Sequence, residues 1–213
     1  MKDIVIIGAG GMGKDIQWLI ERINEVEETW NLLGYIDDGV PVGTIINDCE
    51  VIGGVEYLKQ IEKTLAVVCS VANSNVREKI IGQIYNKPNL EFPNLIDPSV
   101  IISKRVKMGI GNVICAGCIV SVNITMGDFN IICVDSTIGH DDVISSYVTI
   151  YPSVNVSGHV KICKKTEIGT GTQIIQGLKI GAQTIVGAGT VVIRDIEGNC
   201  TIVGNPARAI STR

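Results

Sequence analysis

Only two histidines occur in the 213 residues, and one of them, His140, stands beside a carboxylate in the stretch Gly139-His140-Asp141-Asp142. An imidazole titrates near neutrality and can take a proton from an attacking amine or hydroxyl, and an adjoining carboxylate can fix its tautomer and raise its basicity. The same pair on a solvent-facing turn would have no role, and spacing alone leaves the two readings level. A second stretch with chemical potential is Gly8-Ala9-Gly10-Gly11-Met12-Gly13, a G-x-G-x-x-G directly after the apolar run Ile4-Val5-Ile6-Ile7. Such a turn brings backbone amides close to phosphates at a helix N-terminus, and Asp37, further on, could hold a ribose or a uridine. Cys115-x-x-Cys118 has the spacing of a metal or redox pair. No histidine or second cysteine pair completes a four-ligand set, so no metal is expected.

The elements that must carry these residues fall into two kinds. Residues 3–90 alternate in the βα manner: strand Ile4–Ile7, the glycine turn, then Ile16, Leu19, Ile20 and Ile23 at helical spacing. A strand over 32–36 ends at the acidic pair Asp37-Asp38. A short helical stretch over 55–61 and a strand over 65–71 follow. Asn75-x-x-Glu78 then reads as a capping box for a helix using Val76, Ile80, Ile81 and Ile84. This is half of a doubly wound nucleotide fold, without the second mononucleotide half.

From Ile96 to Val192, every sixth residue is aliphatic or methionine, seventeen positions in unbroken register. If each were aliphatic about 0.35 of the time by chance, such a run would have a probability on the order of 10⁻⁸. Small residues crowd the next position, with Gly109, Gly127, Gly139, Gly169, Gly181 and Gly187 there, which suits tight turns. One inward aliphatic per hexad describes a triangular parallel β-solenoid of about five 18-residue coils, stacked at roughly 4.8 Å. Cys115 and Cys118 then become small residues filling corners and faces. The linker near Pro93-Asn94-Leu95 sets the expected domains at 1–92 and 93–213.

The hexads, with "IGHDD" at 138–142, "TQIIQGLKIGAQTIVGAGTVVIRDI" at 172–196 and "IVGNPAR" at 202–208, resemble the left-handed β-helix acyltransferases. Together with "IIGAGGMGKD" and "YIDD", nearly the whole chain resembles one branch, the sialic acid O-acetyltransferases and UDP-4-amino-sugar N-acetyltransferases. The resemblance implies an α/β Rossmann-like half-fold followed by an all-β left-handed parallel β-helix, an exception to right-handed crossovers. It also implies a homotrimer with acetyl-CoA in the groove between neighbouring prisms, and direct attack on the thioester without an acyl-enzyme. His140 becomes the general base and Asp141 its orienting acid, shorter than the Glu many relatives carry. Gly158 falls at the thioester, where its backbone N–H could meet an oxyanion. Ala188 falls against the pantetheine arm, and Arg208 could meet a CoA phosphate. Gly8, Gly10 and Gly11 would cradle the phosphates of a sugar nucleotide, with Asp37 and Asp38 as nucleoside or sugar contacts. Met12 stands where many relatives have His. His159, one place off the 18-residue repeat from His140, reads as a surface residue whose ring points elsewhere.

Composition limits the alternatives. A net charge of −4 argues against a nucleic-acid partner, and no apolar run approaches the roughly 20 residues of a membrane span. A cytoplasmic protein is expected. The reading is an acetyl-CoA-dependent acetyltransferase acting on a nucleotide-linked amino sugar in glycan biosynthesis. An O-acetyltransferase acting on sialic acid or another small hydroxyl acceptor is the alternative, and a non-catalytic nucleotide-binding scaffold or reductase the third.

Overall fold

The computed structural model describes residues 1–212 and divides into two compact units, Met1–Pro98 and Ser99–Arg213. In the first, β1 (Lys2–Ile7) leads through the glycine turn into α1 (Gly11–Val26). There follow β2 (Trp30–Ile36), the short β3 (Ile45–Ile46), β4 (Cys49–Gly53), α2 (Val55–Gln60), β5 (Leu65–Cys69), α3 (Ser74–Ile84) and β6 (Leu90–Glu91). The sheet order is β3-β4-β2-β1-β5-β6, all parallel except the β3–β4 hairpin. β1 and β5 are apolar runs because helices cover both faces of a parallel sheet, and Ile4 to Val68 across them are essentially without exposure. Ile16, Leu19 and Ile20 bury one stripe of α1. Gly13 makes this packing possible, since a Cβ there would drive into the Gly8 carbonyl oxygen.

The cap of α3 differs from the sequence expectation. Asn73, two residues before Asn75, is the N-cap, its side chain accepting from the Val76 N–H at 3.0 Å. Ile81 and Ile84 are buried as expected, whereas Val76 lies on the exposed side and Ser74 and Arg77 are buried with them. The buried Arg77 guanidinium donates to the Val71 and Ala72 carbonyls at 2.6 and 2.9 Å, satisfying the end of the preceding loop.

The second unit is a parallel β-helix of two-residue strands, each paired with the strand 18 residues on. One face runs from Ile101–Ile102 through Thr137–Ile138 to Val191–Val192, a second from Lys107–Met108 to Lys179–Ile180. The third includes Val113–Ile114 through Ile185–Val186 and is extended by Cys200–Val203, which pairs antiparallel with Arg208–Thr212. The hexad positions from Ile114 to Val192 are all buried, each Ile or Val contributing about 1.5–3 kcal/mol.

Two features of the hexad depart from the sequence expectation. From Asn112 onward a second position, two residues before the aliphatic, is also buried except at the part-buried Leu178: Asn112, Cys118, Ile124, Asn130, Ser136, Asp142 and Val148 line the corners. The residue that turns each corner through left-handed backbone is not the crowd of glycines but the third residue after each aliphatic. Asn123, Phe129, Asp135, Asp141, Tyr147, Ser153 and His159 all have φ between 54° and 61°. The glycines after each aliphatic are small because the next coil presses on them; a Cβ on Gly127 would lie 2.8 Å from the Ser146 nitrogen.

Candidate active site

His140 sits on the corner turn between Thr137–Ile138 and Val143–Ile144, with its side chain about half exposed. The 18-residue stacking places Asn123 below Asp141 and His159 above it, all three in left-handed backbone at successive tips of one corner. Asp141 Oδ2 lies 2.8 Å from His140 Nδ1, and its Oδ1 accepts from Asn123 Nδ2 at 3.1 Å. The hydrogen bonds from His140 and Asn123 hold the Asp141 carboxyl below the usual carboxylate range, so it is ionised where an imidazole works as a base. The Nδ1 contact leaves Nε2 to face an acceptor.

Gly158 stacks over His140, and its missing side chain is what admits the ring. A Cβ there would come 2.5 Å from His140 Nε2 and 2.6 Å from Cε1. On the neighbouring corner, the N–H at this position is met by a side chain of the next coil, as Ile110 donates to Asp128 and Asp128 to Ser146. No such partner meets the Gly158 N–H among the described residues, so it is available as a donor beside the imidazole.

His159 does not point away. Its ring stands perpendicular to that of His140, at 89° with centroids 5.0 Å apart, and its Nε2 is 3.7 Å from Asp141 Oδ2. The signal was in the numbering: His159 is offset by one from His140 but lies a full coil above Asp141. One ligand atom from each of His140, Asp141 and His159 lies within 4.8 Å of the others, the one such grouping among the described residues. The shortest edge of that triangle is already a Nδ1–carboxylate hydrogen bond, so the group reads as a base with its orienting acid.

The next residue, Asp142, is wholly buried. Burial pushes its carboxyl up to about 7, against the opposing pull of the Val160 and Gly139 amides. In the unfolded chain the same group ionises near 3.8. Between those values the folded chain keeps a proton that the unfolded chain has lost, so this group's contribution to stability falls as pH rises from about 4 to 7. At ~1.4 kcal/mol per pH unit the full cost above pH 7 is roughly 4 kcal/mol. Asp142→Asn is therefore expected to melt roughly 8–16 °C above the parent protein at pH 8 and level with it at pH 4, checked by calorimetry at both pH values.

In the N-terminal unit a cleft of about 340 Å³ opens at the carboxyl ends of β1 and β2. Gly8, Asp37 and Asp38 line it, whereas Gly10, Gly11 and Met12 do not. A side chain on Gly10 or Gly11 would meet nothing within 4 Å, so that part of the turn is open. Asp37 ties the turn down, its carboxylate accepting from the Ala9 and Gly39 amides, each at 2.8 Å. Asp38 accepts from the first amide of α2, Val55 N–H, at 2.9 Å. Lys79 and Gln83 of α3 also line the cleft, unannounced by any local motif because they enter from a helix some 70 residues after the turn. Ala188 is exposed on its turn, and Arg208 lines a separate cavity of about 550 Å³ with Arg194 and Glu197, to which Ala188 does not contribute.

The family model of the PglD N-terminal domain matches residues 3–84. Over nearly its whole length the chain is similar to the acetyltransferase domain of PglB from Neisseria gonorrhoeae FA1090 in complex with acetyl coenzyme A. Identity is 28%, the TM-score 0.90, and the match covers 98% of this chain and 99% of that one. A histidine-to-asparagine variant of perosamine N-acetyltransferase from Caulobacter crescentus, in complex with CoA and GDP-perosamine, is 26% identical with a TM-score of 0.88 and coverage of 99% and 98%. WeeI from Acinetobacter baumannii AYE is 31% identical with a TM-score of 0.88 over 99% of this chain and all of that one. A comparison with curated proteins returns no match. With that identity to WeeI from end to end, on a shared half-fold and stack of hexads, the chain belongs to the left-handed β-helix acyltransferases, in the branch of the sialic acid O-acetyltransferases and UDP-4-amino-sugar N-acetyltransferases.

Proposed function

We propose that this enzyme transfers the acetyl group of acetyl-CoA to the amino group of a nucleotide-linked amino sugar in glycan biosynthesis. The observation that carries the reading is the His140–Asp141 pair: a half-exposed imidazole held through Nδ1 by an ionised carboxylate, with Nε2 over Gly158. His140 Nε2 takes the proton as the amine nitrogen attacks the thioester carbonyl. The Gly158 N–H steadies the oxyanion, and CoA departs as the tetrahedral centre collapses to the amide. Ala188 supports the pantetheine arm and Arg208 a CoA phosphate. Relatives crystallised with acetyl coenzyme A, and with CoA together with GDP-perosamine, support both ligand classes.

Residues 1–92 bind the sugar nucleotide, with the Gly8-Gly10-Gly11 turn toward its phosphates. Asp37 orients that turn, and the Asp37, Asp38, Lys79 and Gln83 cleft receives the nucleoside or sugar. Residues 93–213 carry the transfer. The enzyme works as a homotrimer in the cytoplasm; Ile101 and Ile119, exposed in succession on one flat face, supply apolar surface for a second copy to cover. No helix among the described residues is long and apolar enough to cross a membrane.

The test is CoA release from acetyl-CoA across UDP-, dTDP- and GDP-linked amino sugars and sialic acid. Saturable release with one amino-sugar nucleotide is expected. Release with sialic acid alone would move the enzyme to O-acetylation and make Met12, in place of the His of many relatives, the first residue to revert.

A further inference from the structure

Asp142 occupies a corner position at which the coils below and above carry Ile124 and Val160. An apolar residue would fill that space without desolvating a carboxyl. Elsewhere in the stack, polar corners use their groups: Asn130 Oδ1 accepts from the Val148 N–H at 2.7 Å, and Asn130 Nδ2 donates to Asn112. Asp142 Oδ1 accepts from the Val160 N–H at 2.7 Å, whereas Oδ2 is the one buried side-chain oxygen or nitrogen among the described residues with no partner. One side chain on the His140 turn thus holds the amide just after His159.

We infer that Asp142 is a positioning residue for acetyl transfer: its buried carboxyl pins the turn of His140 to the turn of Gly158 and His159, fixing the imidazole against the Gly158 N–H. The inference rests on His140 as the base. The titratable groups on the turns around the carboxyl are His140 and Asp141 on its own turn and His159 on the next, while Ile124 and Val160 of the stack are apolar. Burial holds the carboxyl largely protonated at mildly acidic pH, so the pin works as a neutral acceptor of the Val160 amide. An asparagine would therefore serve in its place, and a valine would not.

Both replacements suit the fold, since valine fills this corner at position 160 and asparagine the equivalent corner at position 130. The experiment compares Asp142→Asn and Asp142→Val in the full chain by steady-state kinetics and by the two imidazole C2–H signals in proton NMR. Asp142→Val is expected to lower kcat about tenfold or more with the acetyl-CoA KM unchanged, because an imidazole shifted by a fraction of an ångström transfers a proton poorly. It also moves the His140 signal and its titration midpoint. Asp142→Asn restores both. A valine variant with unaltered kcat and an unmoved His140 signal would overturn the inference, as would an asparagine variant that falls as far as valine. If His140→Ala stayed active while Asp142→Val still moved the His140 signal, the base assignment would fail and the pin would stand.

Discussion

Replacing His140 with alanine is expected to lower kcat for CoA release by about 10²–10⁴-fold while leaving the acetyl-CoA KM within a few-fold of its original value. The size follows from the imidazole's task. The proton on the attacking amine must leave as the C–N bond forms, and the pair with Asp141 at 2.8 Å presets Nε2 for that step. His159 is the one other imidazole, and its Nε2 is turned toward Asp141. It is therefore not placed to substitute without reorienting. Stopped assays at saturating acetyl-CoA check this, and His159→Ala should cost far less than His140→Ala.

The second large effect concerns a residue with no side chain. Gly158→Ala keeps the backbone N–H proposed for the oxyanion but sets a methyl group 2.5 Å from His140 Nε2. The imidazole must swing off the corner, and a displacement on the order of 1 Å costs roughly 10²-fold in rate. Folding should be little affected, because the collision is with the movable end of an exposed side chain and not with backbone. Gly158→Ala with unchanged kcat and unchanged melting temperature would show that His140 reacts from a different pose.

The repeat was open to reading because one inward residue type recurs with a fixed period, and the fold follows from stacking that period. The left-handed corner escaped because Asn, Phe, Asp, Tyr, Ser, His, Lys and Gln share it with glycines such as Gly111 and Gly171, so no single residue type marks it. The second buried position escaped for a similar reason: it alternates between apolar residues and polar ones that bond within the stack, such as Thr172 and Thr184, whose hydroxyls donate to nearby carbonyls. At the site, His140 and Asp141 were legible as neighbours in sequence. His159 needed the coil period applied to Asp141 and not to His140. Asp142 looked like the second half of an acidic pair, and only the alternation of the stack sends it inward while Asp141 faces out. Asp38 could not be distinguished from Asp37 by sequence, because its bond to Val55 depends on how α2 returns beside the end of β2.

The measurement closest to the central claim is identification of the product made from acetyl-CoA and the amino-sugar nucleotide that releases CoA. The account predicts one added acetyl group on the sugar, held as an amide that survives mild base, and its formation lost in His140→Ala. An acetyl group released by mild base, or an amide formed equally well without His140, would contradict it.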